Sequence, residues 1–273
     1  MGTRRHRLDK EMVRRGLSTS RSEAQRLIAS GRVSVNGAIA DKASRLVDPA
    51  DALNTSGERS HYVSRGGLKL ESALNRFTIN PAGIRVIDVG ASTGGFTDCL
   101  LQHQATKVVA IDVGRNQLHE QLKKDPRVIS LEQTDVRNVQ PQTIGGPAAL
   151  VTVDLSFISL RLVAPSLRKL ATSELVTLVK PQFEAGKPEV SRGRGVIRNP
   201  RIWQQVLLEA AYAFHNESLN TAAMSVSPLK GPAGNIEFFL HAQVCSNNID
   251  FDELRLESMV TSVVTQAMAM SDM

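Results

Sequence analysis

Val86 to Leu101 reads V-I-D-V-G-A-S-T-G-G-F-T-D-C-L-L. Val86, Ile87 and Val89 form a short apolar run of the kind buried in a parallel sheet. Gly90, Gly94 and Gly95 let the chain turn tightly and come close to a ligand. Phe96, Cys99 and Leu100 then mark one face of a helix. Strand, glycine turn and helix make one crossover unit, with its ligand at the carboxyl end of the strand.

The ligand's chemistry follows from what surrounds the turn. The glycines are not spaced G-x-G-x-x-G, and no G-K-[ST] is present to hold phosphates. Asp88 precedes the turn. Asp112 closes the next apolar run, K-V-V-A-I-D, where a carboxylate can accept both ribose hydroxyls. Asp135 follows the third run, in T-D-V-R. Three acidic strand ends without a phosphate cradle fit a ligand with a ribose, an adenine and a cation. S-adenosylmethionine has all three and is favoured over a flavin or NAD. The pocket residues expected are Asp88, Gly90, Ala91, Ser92, Gly94, Gly95, Phe96, Asp112, Val113, Asp135, Val136 and Asp154.

Outward from this unit, strands and helices alternate. Strand runs end at Val89, Asp112, Leu131, Asp154 and Lys180, and a helical run covers Leu160–Leu170 despite Pro165. Pro181 to Pro200 shows no apolar period and reads as a long loop. Ile202–Phe214 is helical. A-A-M-S-V-S-P and I-E-F-F-L-H-A read as strands, and the short L-K-G-P-A-G-N between them favours an antiparallel pair. The expected fold is α/β, a doubly wound, mostly parallel seven-stranded sheet. From Phe251 to Met270 the tail is amphipathic, with Leu254, Met259, Val260, Val263, Val264 and Ala267 on one face. Its other face has too little basic charge for a membrane surface, so it should pack on the domain.

The 273 residues are enough for two domains, and 41% are hydrophobic. No apolar run approaches the roughly 20 residues of a membrane span, and no signal peptide is evident. Cys99 and Cys245 lie far apart and read as buried thiols in a reducing cytoplasm, with no zinc site expected. Charge is uneven. Residues 1–45 hold eleven Lys and Arg against four Asp and Glu, while the remainder holds 22 against 23. The net charge of +6 therefore resides in a basic N-terminal footprint, as expected for a nucleic-acid-binding appendage.

That footprint has its own pattern. Leu8, Met12, Val13 and Leu17 recur at helical spacing, and Gly16 ends the helix. Ser20-x-x-Glu23 is a capping box for a second helix with Ala24, Leu27 and Ile28 on its apolar face. Gly31 stops it, and R-V-S-V-N-G-A-I reads as a hairpin turning at Asn36-Gly37. Asp48 to Ser60 is polar and loop-like. This unit resembles the alpha-L RNA-binding module of a small-subunit ribosomal protein and some pseudouridine synthases. The resemblance makes Arg5, Arg7, Arg21 and Lys42 candidate RNA contacts, with Arg65 beyond the linker. The divisions expected are an RNA-binding domain at 1–58, a linker at 59–65 and the α/β domain at 66–273.

Four polar residues stand at element ends or near the glycine loop. They are Lys69 in R-G-G-L-K-L, Asp154 in V-T-V-D-L-S-F-I-S, Lys180 in L-V-T-L-V-K-P-Q-F-E and Glu237 in G-N-I-E-F-F-L. With the glycine loop and S-P-L-K-G-P-A-G-N, these segments resemble the TlyA family, in which an alpha-L module precedes an FtsJ-like RNA 2′-O-methyltransferase domain. Tyr62 stands where the family is expected to carry Trp. The resemblance implies that Lys69, Asp154, Lys180 and Glu237 are a catalytic tetrad and that no metal takes part. Lys180 is expected to accept the 2′-hydroxyl proton, Lys69 to be the cation that keeps it neutral, and the two acids to orient the lysines and the ribose. The implied reaction is 2′-O-methylation of cytidine in ribosomal RNA. The R-R-H-R-L-D-K-E start and the helical tail are similar to the longer form, which modifies both subunits' RNA. Two rival functions remain: a non-catalytic RNA-binding assembly factor, which would transfer no labelled methyl group, and a membrane-lytic protein, because relatives are called haemolysins. Leakage of liposomes would reveal the latter.

Overall fold

The computed structural model describes residues 5–29, 31–55, 61–245 and 252–271. Contacts divide the chain into two units, Met1–His61 and Tyr62–Met273.

In the first unit the order is β1 (His6–Arg7), α1 (Leu8–Arg14), α2 (Arg21–Ala29), β2 (Val33–Val35), β3 (Ala38–Ile39), β4 (Leu46–Val47) and β5 (Leu53–Thr55). Leu8, Met12, Ala24 and Ile28 pack against Val33, Val35, Val47 and Leu53. Ser20 Oγ accepts from the Glu23 amide at 3.2 Å, one half of a capping box. The Glu23 carboxylate goes to the Thr19 amide instead of closing the box on Ser20. Asn36 and Gly37 turn the β2–β3 hairpin with φ of 52° and 84°, as a type I′ turn requires. The sheet is larger than a hairpin. β5 pairs with β2, and β4 with β1, so a strand lies where a polar loop is expected. L-N-T is too short to display a period of two. Residues 56–60 lie outside the described residues, and with them the end of the expected polar loop and the first two residues of the expected linker, as do Arg4 and Phe251. Tyr62 is buried in the second unit's core and donates its hydroxyl to Glu71 at 2.9 Å, so the chain has entered that unit by residue 62.

In the second unit come α3 (Gly66–Phe77), β6 (Arg85–Val89), α4 (Gly95–Gln102), β7 (Lys107–Ile111), α5 (Glu120–Lys123), β8 (Val128–Leu131), β9 (Ala148–Val153), α6 (Leu160–Leu170) and β10 (Ala171–Val179). Then follow α7 (Pro181–Glu184), α8 (Lys187–Arg192), α9 (Pro200–Asn216), β11 (Leu219–Val226), β12 (Phe238–Val244) and α10 (Glu253–Ser271). The seven strands are ordered β11-β12-β10-β9-β6-β7-β8. β6 to β10 run parallel, and β12 is antiparallel to both β10 and β11. One face of the sheet packs on α3 and α4, the other on α6, α9 and α10. The chain starts at β6, winds outward to β8, then returns through β9. The switch point between β6 and β9 is where ligands bind in such sheets.

β7, β9 and β10 each stop one residue before Asp112, Asp154 and Lys180, leaving those side chains at the sheet edge. Three expectations are corrected. Pro181–Pro200 contains α7 and α8; helices α7, α8 and α9 each carry proline in the first two positions, where the missing N–H costs nothing. Leu254 is exposed, and Leu256 joins Val260, Val263, Val264 and Ala267 in the core. Leu254 precedes Leu256 by two residues, which turns it to the opposite side of the helix. Cys245 is only half-buried, because it follows the last strand residue.

Candidate active site

Gly90 leaves β6 with φ +84°, and a Cβ there would collide with the Asp154 carbonyl. Only glycine lets these two strand exits pass so closely. Next in the loop, the Ser92 amide donates to Asp112 Oδ2 at 2.8 Å, while the Gly114 amide donates to Oδ1 at 2.6 Å. Each Asp112 oxygen thus holds one backbone N–H and keeps capacity for another donor.

These residues border a cavity of about 460 Å³. Gly90, Ser92, Asp112, Val113, Asp135, Val136 and Asp154 line it, together with Gln117, Ser156, Phe157 and Ile158. A carboxylate with spare acceptor capacity, apolar walls and one basic lining residue, Arg137, already paired with Asp135, fit an adenosine-bearing cation. Asp135 caps the turn after it and pairs with Arg137 at 2.6 Å, and that guanidinium holds its carboxyl below the usual range.

Asp88, Ala91, Gly94, Gly95 and Phe96 do not line the cavity. Asp88 lies inside β6, fully buried, and accepts from Thr97 Oγ1 at 2.6 Å and Thr152 Oγ1 at 2.9 Å. Burial pushes its carboxyl up to about 7. It ties α4 to β9 beneath the loop. Ala91 is buried in the α3–α4 side of the core, and Phe96 stacks on Phe239 there. A Cβ on Gly94 would strike Leu118 and Leu122, and one on Gly95 would strike Ser64. The close contacts that require these two glycines are packing contacts around the loop.

The four tetrad residues form two ion pairs. Lys69 Nζ donates to Glu237 Oε2 at 2.5 Å, and both side chains are buried. Lys180 Nζ lies 2.6 Å from Asp154 Oδ1 and donates to Ser156 Oγ at 2.9 Å. The Lys180–Asp154 contact is ionic, without an aligned hydrogen bond at Oδ1. Lys69 is therefore not an uncompensated cation beside Lys180, because Glu237 meets its charge. A Cβ on Gly231 would collide with Glu237 Oε1, which explains the glycine in L-K-G-P-A-G-N.

Two further acids, Glu184 and Glu132, are absent from the residues expected from the sequence. Glu184 is buried in α7 and accepts from Ser159 Oγ at 2.6 Å and the Leu160 amide at 2.8 Å. It staples the segment after Asp154 to the turn after Lys180, and burial pushes its carboxyl up. Glu132 collects the amides of Asn116, Gln117 and Leu118, which hold its carboxyl low and fix the loop beside Asp112. Its place just after β8 is the signal available in the sequence.

Among the basic candidates, Arg7 and Arg21 both bind the buried Asp9 at 3.0 Å. They organise the first unit, leaving part of each side chain exposed. Arg5 and Lys42 are exposed, and Arg65 donates to the Lys230 carbonyl at 3.1 Å.

The FtsJ-like methyltransferase model matches residues 62–244, and the S4 domain model matches residues 6–53. The chain is 46% identical over 241 residues to the 16S/23S rRNA (cytidine-2′-O)-methyltransferase TlyA of Mycobacterium tuberculosis, covering 87% of this chain and 89% of the relative. It is 33% identical over 246 residues to the 23S rRNA (cytidine-2′-O)-methyltransferase TlyA of Campylobacter jejuni, covering 84% and 96%. A solved structure from Streptococcus thermophilus, described as a candidate hemolysin, is 35% identical with a TM-score of 0.77 over 100% of both chains. Among the described residues no helix is long and apolar enough to cross a membrane. Sheet order, the cavity at the switch point and these matches agree: the chain belongs to the TlyA family of FtsJ-like methyltransferases and carries an S4 domain ahead of its methyltransferase domain.

Proposed function

We propose that this protein methylates the ribose 2′-hydroxyl of cytidine in ribosomal RNA of both subunits, using S-adenosylmethionine, in the cytoplasm. The observation that carries the proposal is the Lys180–Asp154 pair. Asp154 lines the cofactor cavity, and its partner Lys180 is held 2.6 Å away at the same sheet edge. When bound, S-adenosylmethionine supplies an electrophilic methyl group. Asp112 would hold its ribose hydroxyls, and Asp135, Val113 and Val136 would border its adenine.

A ribose hydroxyl is a poor nucleophile until its proton can leave. Lys180 is the acceptor of that proton, and its contacts with Asp154 and Ser156 fix its Nζ. The Glu237–Lys69 pair ties the start of β12 to α3. Much of the acceleration then comes from position. The S4 unit supplies the RNA anchor. The greater similarity to the relative named for 16S and 23S rRNA than to the one named for 23S alone supports a target in each subunit.

Mapping ribose methylation in both ribosomal RNAs, with and without the gene, tests this. Loss at cytidines of both RNAs is expected. Loss in one alone would restrict the substrate, and loss in neither would overturn the proposal.

A further inference from the structure

Beyond residue 45 the chain is nearly neutral, but that balance conceals a local excess. Residues 187–201 contain Lys187, Arg192, Arg194, Arg198 and Arg201 against Glu189 alone. Glu189 pairs with Arg192 at 2.7 Å. Several arginines elsewhere face acids, Arg7 and Arg21 meeting Asp9, Arg14 and Arg15 meeting Glu11, Arg137 meeting Asp135 and Arg161 meeting Glu209, whereas Arg76 and Arg115 meet none among the described residues. Arg194, Arg198 and Arg201 are exposed and make no ion pair among the described residues.

A solvated loop needs no internal scaffold, yet this one has one. Asn235, 1% exposed, accepts from the Ile197 amide at 2.9 Å and donates to the Gly195 carbonyl at 2.8 Å. Trp203 Nε1 donates to the Ile197 carbonyl at 3.1 Å, and Asn199 caps α9 through the Arg201 amide. The buried amide and indole hold the backbone still while three guanidinium groups face water.

Its position is equally specific. The loop follows α8, whose last turns border a second cavity with Phe157, Gln182 and Phe183, close after Lys180. Its other support, Asn235, lies two residues before Glu237. It is therefore strung between the segments that carry both tetrad pairs. We propose that Arg194, Arg198 and Arg201 form a second RNA-phosphate contact surface, which holds the substrate backbone at the catalytic edge. Guanidinium groups suit phosphate because they offer a planar fork of donors. This assignment rests on the methyltransferase function proposed above.

The test uses the full-length protein with all three arginines changed to Gln, and a second variant with all three changed to Lys. Binding to ribosomal RNA is measured across a salt series, with single-turnover methylation and cofactor affinity alongside. Each lost phosphate contact removes about 0.7–0.9 from the log–log salt slope. The Gln variant should show a slope shallower by roughly 2–3 and at least tenfold weaker binding at low salt. Its KM for RNA should rise, while the rate at saturating RNA and the cofactor affinity stay unchanged. The Lys variant should keep most of the slope, which a loss of packing would not do. A Gln variant with the wild-type slope and affinity overturns the assignment. If the wild type itself neither methylates ribosomal RNA nor binds it in a salt-dependent way, the methyltransferase proposal fails instead.

Discussion

Asp88 shows how a residue type can be legible and its role not. An acid before a glycine turn invites a ligand, but this one is sealed between Thr97 and Thr152. Its carboxyl, pushed up to about 7 by burial, keeps its proton in the fold between about pH 4 and 7, where the unfolded chain gives it up. Stability should therefore fall as pH rises through that window, by up to about 1.4 kcal/mol per unit, and flatten above it. Asp88→Asn removes the titration, so denaturant unfolding of the two proteins should diverge between pH 4 and 7. A gap independent of pH would sink the account. Asp112, by contrast, lies at the cavity, where each of its oxygens accepts one backbone amide. Asp112→Ala should weaken S-adenosylmethionine binding by about 1.5–3 kcal/mol in calorimetry, the range for hydrogen bonds to a charged group. At Lys180, arginine keeps the charge but cannot give up its proton near neutral pH. Lys180→Arg should thus bind cofactor and RNA yet lose single-turnover methylation as fully as Lys180→Ala. Substantial turnover would leave Lys180 a positioning group. Asp154, Lys180 and Glu237 were visible as charged residues at strand ends and Lys69 through the resemblance of its segment, whereas their pairing joins positions up to 168 residues apart, which no local pattern encodes.

At the scale of elements, the buried strands were legible because V-I-D-V, K-V-V-A-I and A-L-V-T-V are continuous apolar runs bounded by turns. β5 and α7 were not. Three and four residues carry too little period, and their stability comes from partners distant in sequence. α7 illustrates the consequence. Its Glu184 links the start of α6 to the turn after Lys180 through two hydrogen bonds, and neither helix holds that geometry alone. Glu184→Ala would leave the buried Leu160 amide without an acceptor, at a cost of about 1–3 kcal/mol. Gln can accept from that amide and donate to Ser159. Glu184→Gln should therefore restore most of the thermal stability and methylation rate that Glu184→Ala loses. If both substitutions cost the same, the charge rather than the staple matters. Gly90 acts at the same scale, since a side chain there would push apart the exits of β6 and β9.

The whole molecule consists of two units with separate cores. Leu8, Met12, Ala24 and Ile28 close the first, and the sheet with its two helical layers closes the second. A unit with its own core folds as a unit. The cavity at the sheet edge draws all its lining residues from the second. Deleting residues 1–61 should thus leave a folded protein with unchanged S-adenosylmethionine affinity, measured by calorimetry. Its affinity for ribosomal subunits should drop, because the first 45 residues hold eleven of the 33 basic residues and most of the positive excess. Phosphate contacts release counterions, so the loss should be largest at low salt, and the salt slope should become shallower. It should not reach zero, since the arginine loop between Gly193 and Arg201 remains on the second unit. A truncated protein that binds subunits with wild-type affinity and slope would remove the S4 unit as the RNA anchor. One that no longer binds cofactor would show that the two units are coupled through more than their shared substrate.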